Sequence, residues 1–251
     1  MIMSDRTLVI LPTYNEAENV AHIVARLRRS VPAADILVVD DGSPDGTGEI
    51  ADALARQDKS VNVLHRPTKS GLGGAYLQGF AWAKRHDYGT VVECDADGSH
   101  HPEELNRLMA ALLNADMVVG SRWVPGGVVE DWPFSRRALS RAGSAYARAG
   151  LRLPLHDVTS GYRAFRATAL DRIGLGAIQS EGYCFQIEML WRAHDAGLTI
   201  AEVPITFTDR RLGASKMRGS IVFEAMWRVT VWALQSRTHH VVKTQREPRH
   251  A

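Results

Sequence analysis

Short apolar runs alternate with stretches of helical spacing along the first half of the chain, and this alternation limits the fold more than any other feature. The runs are Thr7 to Leu11, Ile36 to Val39, Val61 to Leu64, Thr90 to Cys94 and Met117 to Val119. Between them, Asn15 to Arg29 carries Val20, Ile23, Val24 and Leu27 at helical spacing; Thr47 to Ala55, Gly71 to Lys84 and Glu103 to Leu113 read as further helices. The runs are apolar throughout, not alternating, as in strands covered on both faces. That predicts an α/β fold, a mostly parallel sheet with helices on both sides. A chain of 251 residues suits one large domain of this kind or two small ones. Ligands of such sheets bind at the carboxyl ends of the strands. Here those ends carry Tyr14 to Glu16, Asp40-Asp41 and Asp95 to Asp97, the first indication of a nucleotide site.

After residue 120 the regularity weakens. Trp123 to Pro133 is rich in Gly, Pro and Trp and reads as a loop, and Ser135 to Leu151 as a basic helix with Arg136, Arg137, Arg141 and Arg148. Tyr183 to Ala196 reads as a helix, Ile200 to Phe207 as a strand and Arg210 to Arg218 as a basic loop. Ile221 to Gln235 is a strongly apolar helix, and the polar, basic end from Ser236 to Ala251 is expected to be disordered. The division expected is a catalytic unit over 1–220, the apolar helix over 221–235 and the tail over 236–251. A net charge of +2 argues against nucleic acid as a partner. Cys94 and Cys184 form neither a disulfide framework nor zinc spacing, as expected of reduced cytosolic thiols. No signal peptide is visible, and no window reaches the ~20 apolar residues needed to span a bilayer.

The sharpest chemical feature is Asp95-Ala96-Asp97 at the end of a buried run. Alternate residues of an extended chain point the same way, so both carboxylates can approach one cation. Hard divalent ions bind carboxylates and phosphates together, which suits a nucleotide diphosphate leaving group. The competing reading is a pair of solvated turn aspartates. Pro12 to Glu16 offers an aromatic to stack on a base and Glu16 to accept from it; Asn15 would also cap the next helix, with Glu18 at its third position. Asp41 suits base nitrogens, or simply closes a turn. Lys69 is a phosphate contact or a surface lysine. Gly71-Leu72-Gly73-Gly74 departs from a dinucleotide loop at Tyr76, so a nicotinamide reading is rejected. Arg122, Arg136, Arg137, Arg210, Arg211 and Lys216 gather in the second half and point to a second, anionic substrate. His100 and His101 read better as a lead into Pro102 than as metal ligands. Glu181, Glu188 and Asp195 fall near one helix face, read as solvent-facing in preference to holding a general base.

Taken together, LPTYNEAENV, VVDDGSPDGT, SGLGGAY, DADGSHHPEEL, GSRWVPGG, TSGYRAFR, GYCFQIEML and EVPITFTDRRLGASKM resemble the dolichol-phosphate (polyprenol-phosphate) mannose synthases. These are inverting family-2 glycosyltransferases with the GT-A fold, a Rossmann-like mostly parallel sheet. The resemblance implies that Pro12, Tyr14, Glu16, Val39 and Asp41 hold the guanosine of GDP-mannose, with Lys69 beside them. It implies that Asp95, Ala96 and Asp97 line the donor, Asp97 on Mg²⁺ or Mn²⁺ and Asp95 nearer the nucleotide. Arg122, Arg210 and Lys216 would contact phosphates, and Arg136 and Arg137 would sit with Arg122 near the lipid phosphate. Some relatives have Gln where Ser99 stands, which leaves the second metal ligand open. Some carry membrane anchors, where this chain has only Ile221 to Gln235. The polyprenyl phosphate acceptor implies a peripheral site of action on the cytoplasmic face of a membrane, alone or with a membrane-embedded partner protein. Ile221 to Gln235, Trp123 and Trp132 would touch the bilayer, the helix alternatively packing on the sheet. Rival readings are a UDP-glucose-dependent lipid-phosphate transferase and a non-catalytic regulatory subunit. A polysaccharide synthase is weakened by the lack of Q-x-x-R-W.

Overall fold

The computed structural model describes residues 6–69, 71–180, 182–209 and 226–234. The first half follows the expected alternation: β1 (Thr7–Thr13), α1 (Val20–Ser30), β2 (Asp35–Asp40), α2 (Thr47–Gln57), β3 (Val61–His65), α3 (Gly71–Arg85), β4 (Thr90–Glu93), α4 (Leu105–Leu112) and β5 (Met117–Ser121). Then come β6 (Val128–Glu130), α5 (Phe134–Leu151), β7 (Arg163–Arg166), α6 (Ala167–Ile173), α7 (Tyr183–Asp195), β8 (Ile200–Pro204) and β9 (Thr206–Thr208). The main sheet has the order β3-β2-β1-β4-β7-β5-β8. All its pairings are parallel except those of β7, which runs antiparallel between β4 and β5. The order runs outward from β1 to β3 on one side and through β4 on the other. The strand ends beside β1 therefore open a crevice.

Each strand places side chains alternately on the two faces. Leu8, Ile10, Leu37, Val39 and Val91 pack under α3, α5 and α7, while Val9, Leu11, Ile36, Val38 and Val92 pack under α1 and α4. Two apolar layers thus bury both faces of the sheet, which is why the strands read as unbroken apolar runs. Gly79 is required here, since a Cβ would lie 2.7 Å from Ile10.

Several expectations are corrected. α1 begins at Val20, not Asn15: Asn15 adopts a left-handed φ of 55°, and Asn19 stands at the N-cap without a side-chain capping bond. The strand expected over Ile200 to Phe207 is two strands. β8 pairs with β5 and ends at Pro204, and β9 leaves to pair with β6 in a separate ribbon. The loop Trp123 to Pro133 contains β6. Helical residues 226–234 bury Val229, stack Trp232 on Trp191 at 5.6 Å and bond Thr230 to Tyr146 at 2.6 Å. Met226, Trp227 and Leu234 of the same segment stay exposed, so packing and an open apolar surface coexist. The tail 236–251 lies outside the described residues.

Candidate active site

Three neighbouring parallel strands deliver the candidate residues to one edge. Pro12 and Thr13 of β1 register with Val39 and Asp40 of β2, and Ile10 with Glu93 of β4. The loops leaving these ends surround a cavity of about 410 Å³. Pro12, Tyr14, Glu16, Asp41, Lys69, Asp95, Ala96, Asp97, Arg122 and Arg136 all line it, with Ser99, His100, Thr159, Gly161, Gln186 and Phe207. Val39 and Arg137 do not. The Val39 side chain is wholly buried in the core beneath the strand end, and Arg137 turns to the carbonyl of Val129 at 2.7 Å. Arg210 and Lys216 lie outside the described residues, as do Arg211 and Glu181.

β4 stops at Glu93, and Ala96 and Asp97 lie in a turn instead of extended chain. Gly98, at a φ of 77°, lets that turn double back, and the Ser99 amide donates to Asp97 Oδ1 at 3.0 Å. The Asp95 amide donates to His100 Nδ1 at 3.0 Å, which places the ring hydrogen on Nε2, 3.8 Å from Asp95 Oδ2. His100 is stacked on Tyr162 at 4.8 Å. Its burial lowers the imidazole pKa against the opposing pull of Asp95 and Asp97, so a neutral ring supports the aspartate loop. His101 bonds Thr208 at 2.8 Å and ties the β6–β9 ribbon to the loop. Neither histidine is arranged as a metal ligand.

On the other side of β1, the loops after β1 and β2 lock together. The Glu16 amide donates to Thr47 Oγ1 at 2.9 Å, the Ala17 amide to Asp45 Oδ2 at 3.1 Å and the Asn15 amide to Ser43 Oγ at 3.0 Å. Asp40 Oδ1 accepts from Thr13 at 3.1 Å and from Ser43 at 2.5 Å. Asp41 is buried and forms an ion pair with Arg66, a residue that sequence reasoning passed over. Its only signal was an arginine two residues after the third apolar run. Lys69 sits 3.8 Å above the Tyr14 ring, a cation–π contact that joins two separately singled-out residues.

Across the cavity, Arg122 follows β5 and is buried. Its Nε and Nη2 donate to the two Asp157 oxygens at 2.7 Å each, and Nη2 also reaches Thr159 Oγ1 at 2.8 Å. Burial works to raise the Asp157 carboxyl, but the Arg122 fork and the surrounding amides hold it below its ordinary value. Trp123, Trp132 and Phe207 ring the guanidinium at 5.4, 5.6 and 5.3 Å. Arg136 lies 4.1 Å over Trp132 and bonds Asp209 at 2.7 Å. Trp132 is therefore buried within this cluster, contrary to the expectation that it dips into a membrane.

Beneath the cavity floor lies a polar cluster absent from the sequence reading. Arg163 of β7 is fully buried and donates to the carbonyls of Ser160, Gln186 and Val158 at 2.7, 2.7 and 3.1 Å. It registers with Glu93 of β4. Burial pushes the Glu93 carboxyl up to about 7, with Arg163 and then the Gln186 amide opposing. Burial likewise lowers Arg163 to about 10. Glu188 is not solvent-facing: it is buried, accepts from Arg192 at 2.9 Å and from the Ser180 amide at 3.0 Å, and does not line the cavity. Cys94 and Cys184 are buried and form no disulfide.

No group of three His, Cys, Asp or Glu side chains capable of holding a metal occurs among the described residues. The protein can therefore offer Asp95 and Asp97, with other coordination positions left to diphosphate and water. That is the way Mg²⁺ and Mn²⁺ are ordinarily bound beside phosphates. The buried Ser99 hydroxyl, adjacent in the loop and with no hydrogen-bond partner among the described residues, is a further oxygen at the same place. The residues fit a hard divalent ion.

Residues 8–174 match the glycosyl transferase family 2 model. A polyprenol monophosphomannose synthase of Mycolicibacterium smegmatis is 54% identical over 236 residues, 93% of this chain and 89% of that protein. An undecaprenyl-phosphate mannosyltransferase of Micrococcus luteus is 56% identical over 232 residues, 92% of this chain and 96% of that protein. Among solved structures, glucosyl-3-phosphoglycerate synthase from Mycobacterium tuberculosis, in complex with Mn²⁺, UDP and glucosyl-3-phosphoglycerate, aligns with a TM-score of 0.65. The alignment covers 93% of this chain and 80% of that one at 22% identity, a likeness of fold. The chain belongs to glycosyltransferase family 2 and has the GT-A fold.

Proposed function

We propose that this family-2 glycosyltransferase moves mannose from GDP-mannose to a polyprenyl (dolichyl-type) monophosphate, with inversion, giving β-mannosyl phosphopolyprenol and GDP. The observation that carries the reading is the division of charge around one cavity: Asp95 and Asp97 on the β4 side, Arg122 and Arg136 on the side of β5 and α5. The first pair suits a nucleotide diphosphate with its cation, the second an anionic acceptor. Relatives named for mannosyl transfer to polyprenyl phosphates support the sugar and the acceptor.

A phosphate monoester is largely ionised at neutral pH, with a second pKa of about 6. It attacks the anomeric carbon without a deprotonating base, in keeping with Glu188 being tied up in its ion pair. Catalysis is then positioning and charge stabilisation. Pro12, Tyr14, Glu16 and Asp41 take the guanosine, with Lys69 closing over Tyr14. Asp97, with Asp95 beside it, holds Mg²⁺ or Mn²⁺, which when bound neutralises charge on the diphosphate. Arg122 and Arg136 hold the acceptor phosphate on the face opposite GDP. Arg210 and Lys216 are assigned to the phosphates by resemblance alone.

The isoprenoid tail keeps the acceptor in the bilayer, so the enzyme works at the cytoplasmic surface, alone or with a membrane-embedded partner. No helix among the described residues is long and apolar enough to cross a membrane. Exposed Met226, Trp227 and Leu234 would lie in the interface.

The test is a radiolabelled-donor assay with polyprenyl phosphate and divalent cation, comparing GDP-mannose, UDP-glucose and UDP-GlcNAc. Label entering the lipid from GDP-mannose is expected. Transfer from UDP-glucose alone would replace the donor, and no transfer from any donor would leave a GT-A fold in a non-catalytic role.

A further inference from the structure

Gln186 lines the cavity from the first turn of α7. Only 3% exposed, it turns its amide N–H toward the buried Glu93 carboxyl, while Oε1 has no hydrogen-bond partner among the described residues. A buried carbonyl oxygen without a donor costs stability, a cost that a ligand hydroxyl would remove. Gly161 faces it: a Cβ there would lie 3.6 Å from Gln186 Nε2, 3.7 Å from His100 Cε1 and 3.8 Å from Asp95 Oδ1. These are ordinary contact distances, so alanine would fit the fold while filling the gap between Gln186 and Asp95.

The order of strands says what belongs in that gap. Along the sheet edge, Asp41 follows β2, Tyr14 follows β1, Asp95 follows β4, Gly161 precedes β7, and Arg122 follows β5. On the proposed function, base, diphosphate, transferred sugar and acceptor phosphate must lie in that sequence, because the sugar bridges its leaving group and its acceptor. The sugar therefore falls at Gly161 and Gln186. A side chain whose carbonyl oxygen needs a donor matches a hydroxyl, which an ionised phosphate cannot replace.

We propose that Gln186 is a specificity-determining residue that hydrogen-bonds hydroxyls of the transferred hexose, and that Gly161 keeps the space for that ring open. This rests on the donor reading above. A site built to bond hydroxyls discriminates strongly, because an ill-fitting sugar leaves its amide unpaired.

The experiment is calorimetric binding of GDP-mannose and of GDP, each with Mn²⁺, to the full-length wild type, Gln186→Leu and Gly161→Ala. Both variants are expected to bind GDP-mannose about tenfold more weakly and GDP within twofold of wild type. Equal weakening toward GDP and GDP-mannose, or no weakening in either variant, overturns the proposal. If Gln186→Leu does not fold, Gly161→Ala and Gln186→Asn carry the same comparison with the same two outcomes. Wild type that binds UDP-glucose and not GDP-mannose defeats the donor reading instead. The comparison then runs on UDP-glucose against UDP, where the same split supports Gln186 and its absence overturns it.

Discussion

The nucleotide side and the acceptor side of the cavity are built in opposite ways. On the first, consecutive βα units bring carboxylates to the ends of parallel strands whose interiors are wholly apolar. On the second, antiparallel β7 is wedged between β4 and β5 and carries a fully buried arginine, while Arg122 beside it is clamped by buried Asp157. At Asp41 and Arg66 the first side too uses a buried pair. Backbone regularity shapes one wall and paired charges shape the other. An arginine that faces an anion loses less on binding when its rotamer is already fixed, since the free side chain carries about 2 kcal/mol of rotamer entropy. The clamped wall is thereby more sensitive to the loss of a single charge.

The largest effect of that kind is expected from Asp157→Ala. It leaves Arg122 buried without its partner, at a cost of about 3–5 kcal/mol in denaturant unfolding. A cost below about 1 kcal/mol would mean that the aromatic ring of Trp123, Trp132 and Phe207 holds Arg122 unaided. Next is Glu93→Gln, beneath the join between the two walls. Because burial raises the Glu93 carboxyl from 4.5 to about 7, the folded state keeps a proton that the unfolded chain releases. Stability therefore falls as pH rises through that window. The glutamine variant lacks this loss and is expected to gain on wild type between those values, by at most about 3 kcal/mol at 1.36 kcal/mol per unit. Parallel pH–stability curves would contradict it. The smallest effect is Lys69→Ala on the nucleotide side. Loss of the exposed contact over Tyr14, worth about 0.5–1 kcal/mol, weakens donor binding roughly threefold by calorimetry. A loss beyond tenfold would instead place Lys69 directly on a phosphate.

The same contrast explains what was legible in the sequence. β1 to β5 could be read because strands buried on both faces are unbroken apolar runs, and Asp95 to Asp97 because it follows one of them. β7 was missed: Arg-Ala-Phe-Arg has charged ends, and Arg163 is tolerated inside the sheet through the carbonyls of Ser160, Gln186 and Val158 and the neighbouring Glu93 carboxyl, which no local pattern reveals. β6 is three residues long in a Gly- and Trp-rich loop, and its partner β9 is set by the break at Pro204. Val39 was placed on the nucleotide by resemblance alone, and strand alternation turns its side chain into the core. Gln186 stood inside the segment GYCFQIEML, but a role for its amide exists only once the fold has closed around it.

The most direct test of the site concerns Asp97. GDP binding is measured by calorimetry with and without Mn²⁺, in wild type and in Asp97→Ala, with melting temperature as the control for folding. If Asp97 holds the cation against the diphosphate, Mn²⁺ tightens GDP binding at least about tenfold in wild type, equivalent to about 1.4 kcal/mol, and leaves the folded variant unchanged. Equal tightening in both proteins, or none in wild type, would contradict the metal site at the end of β4.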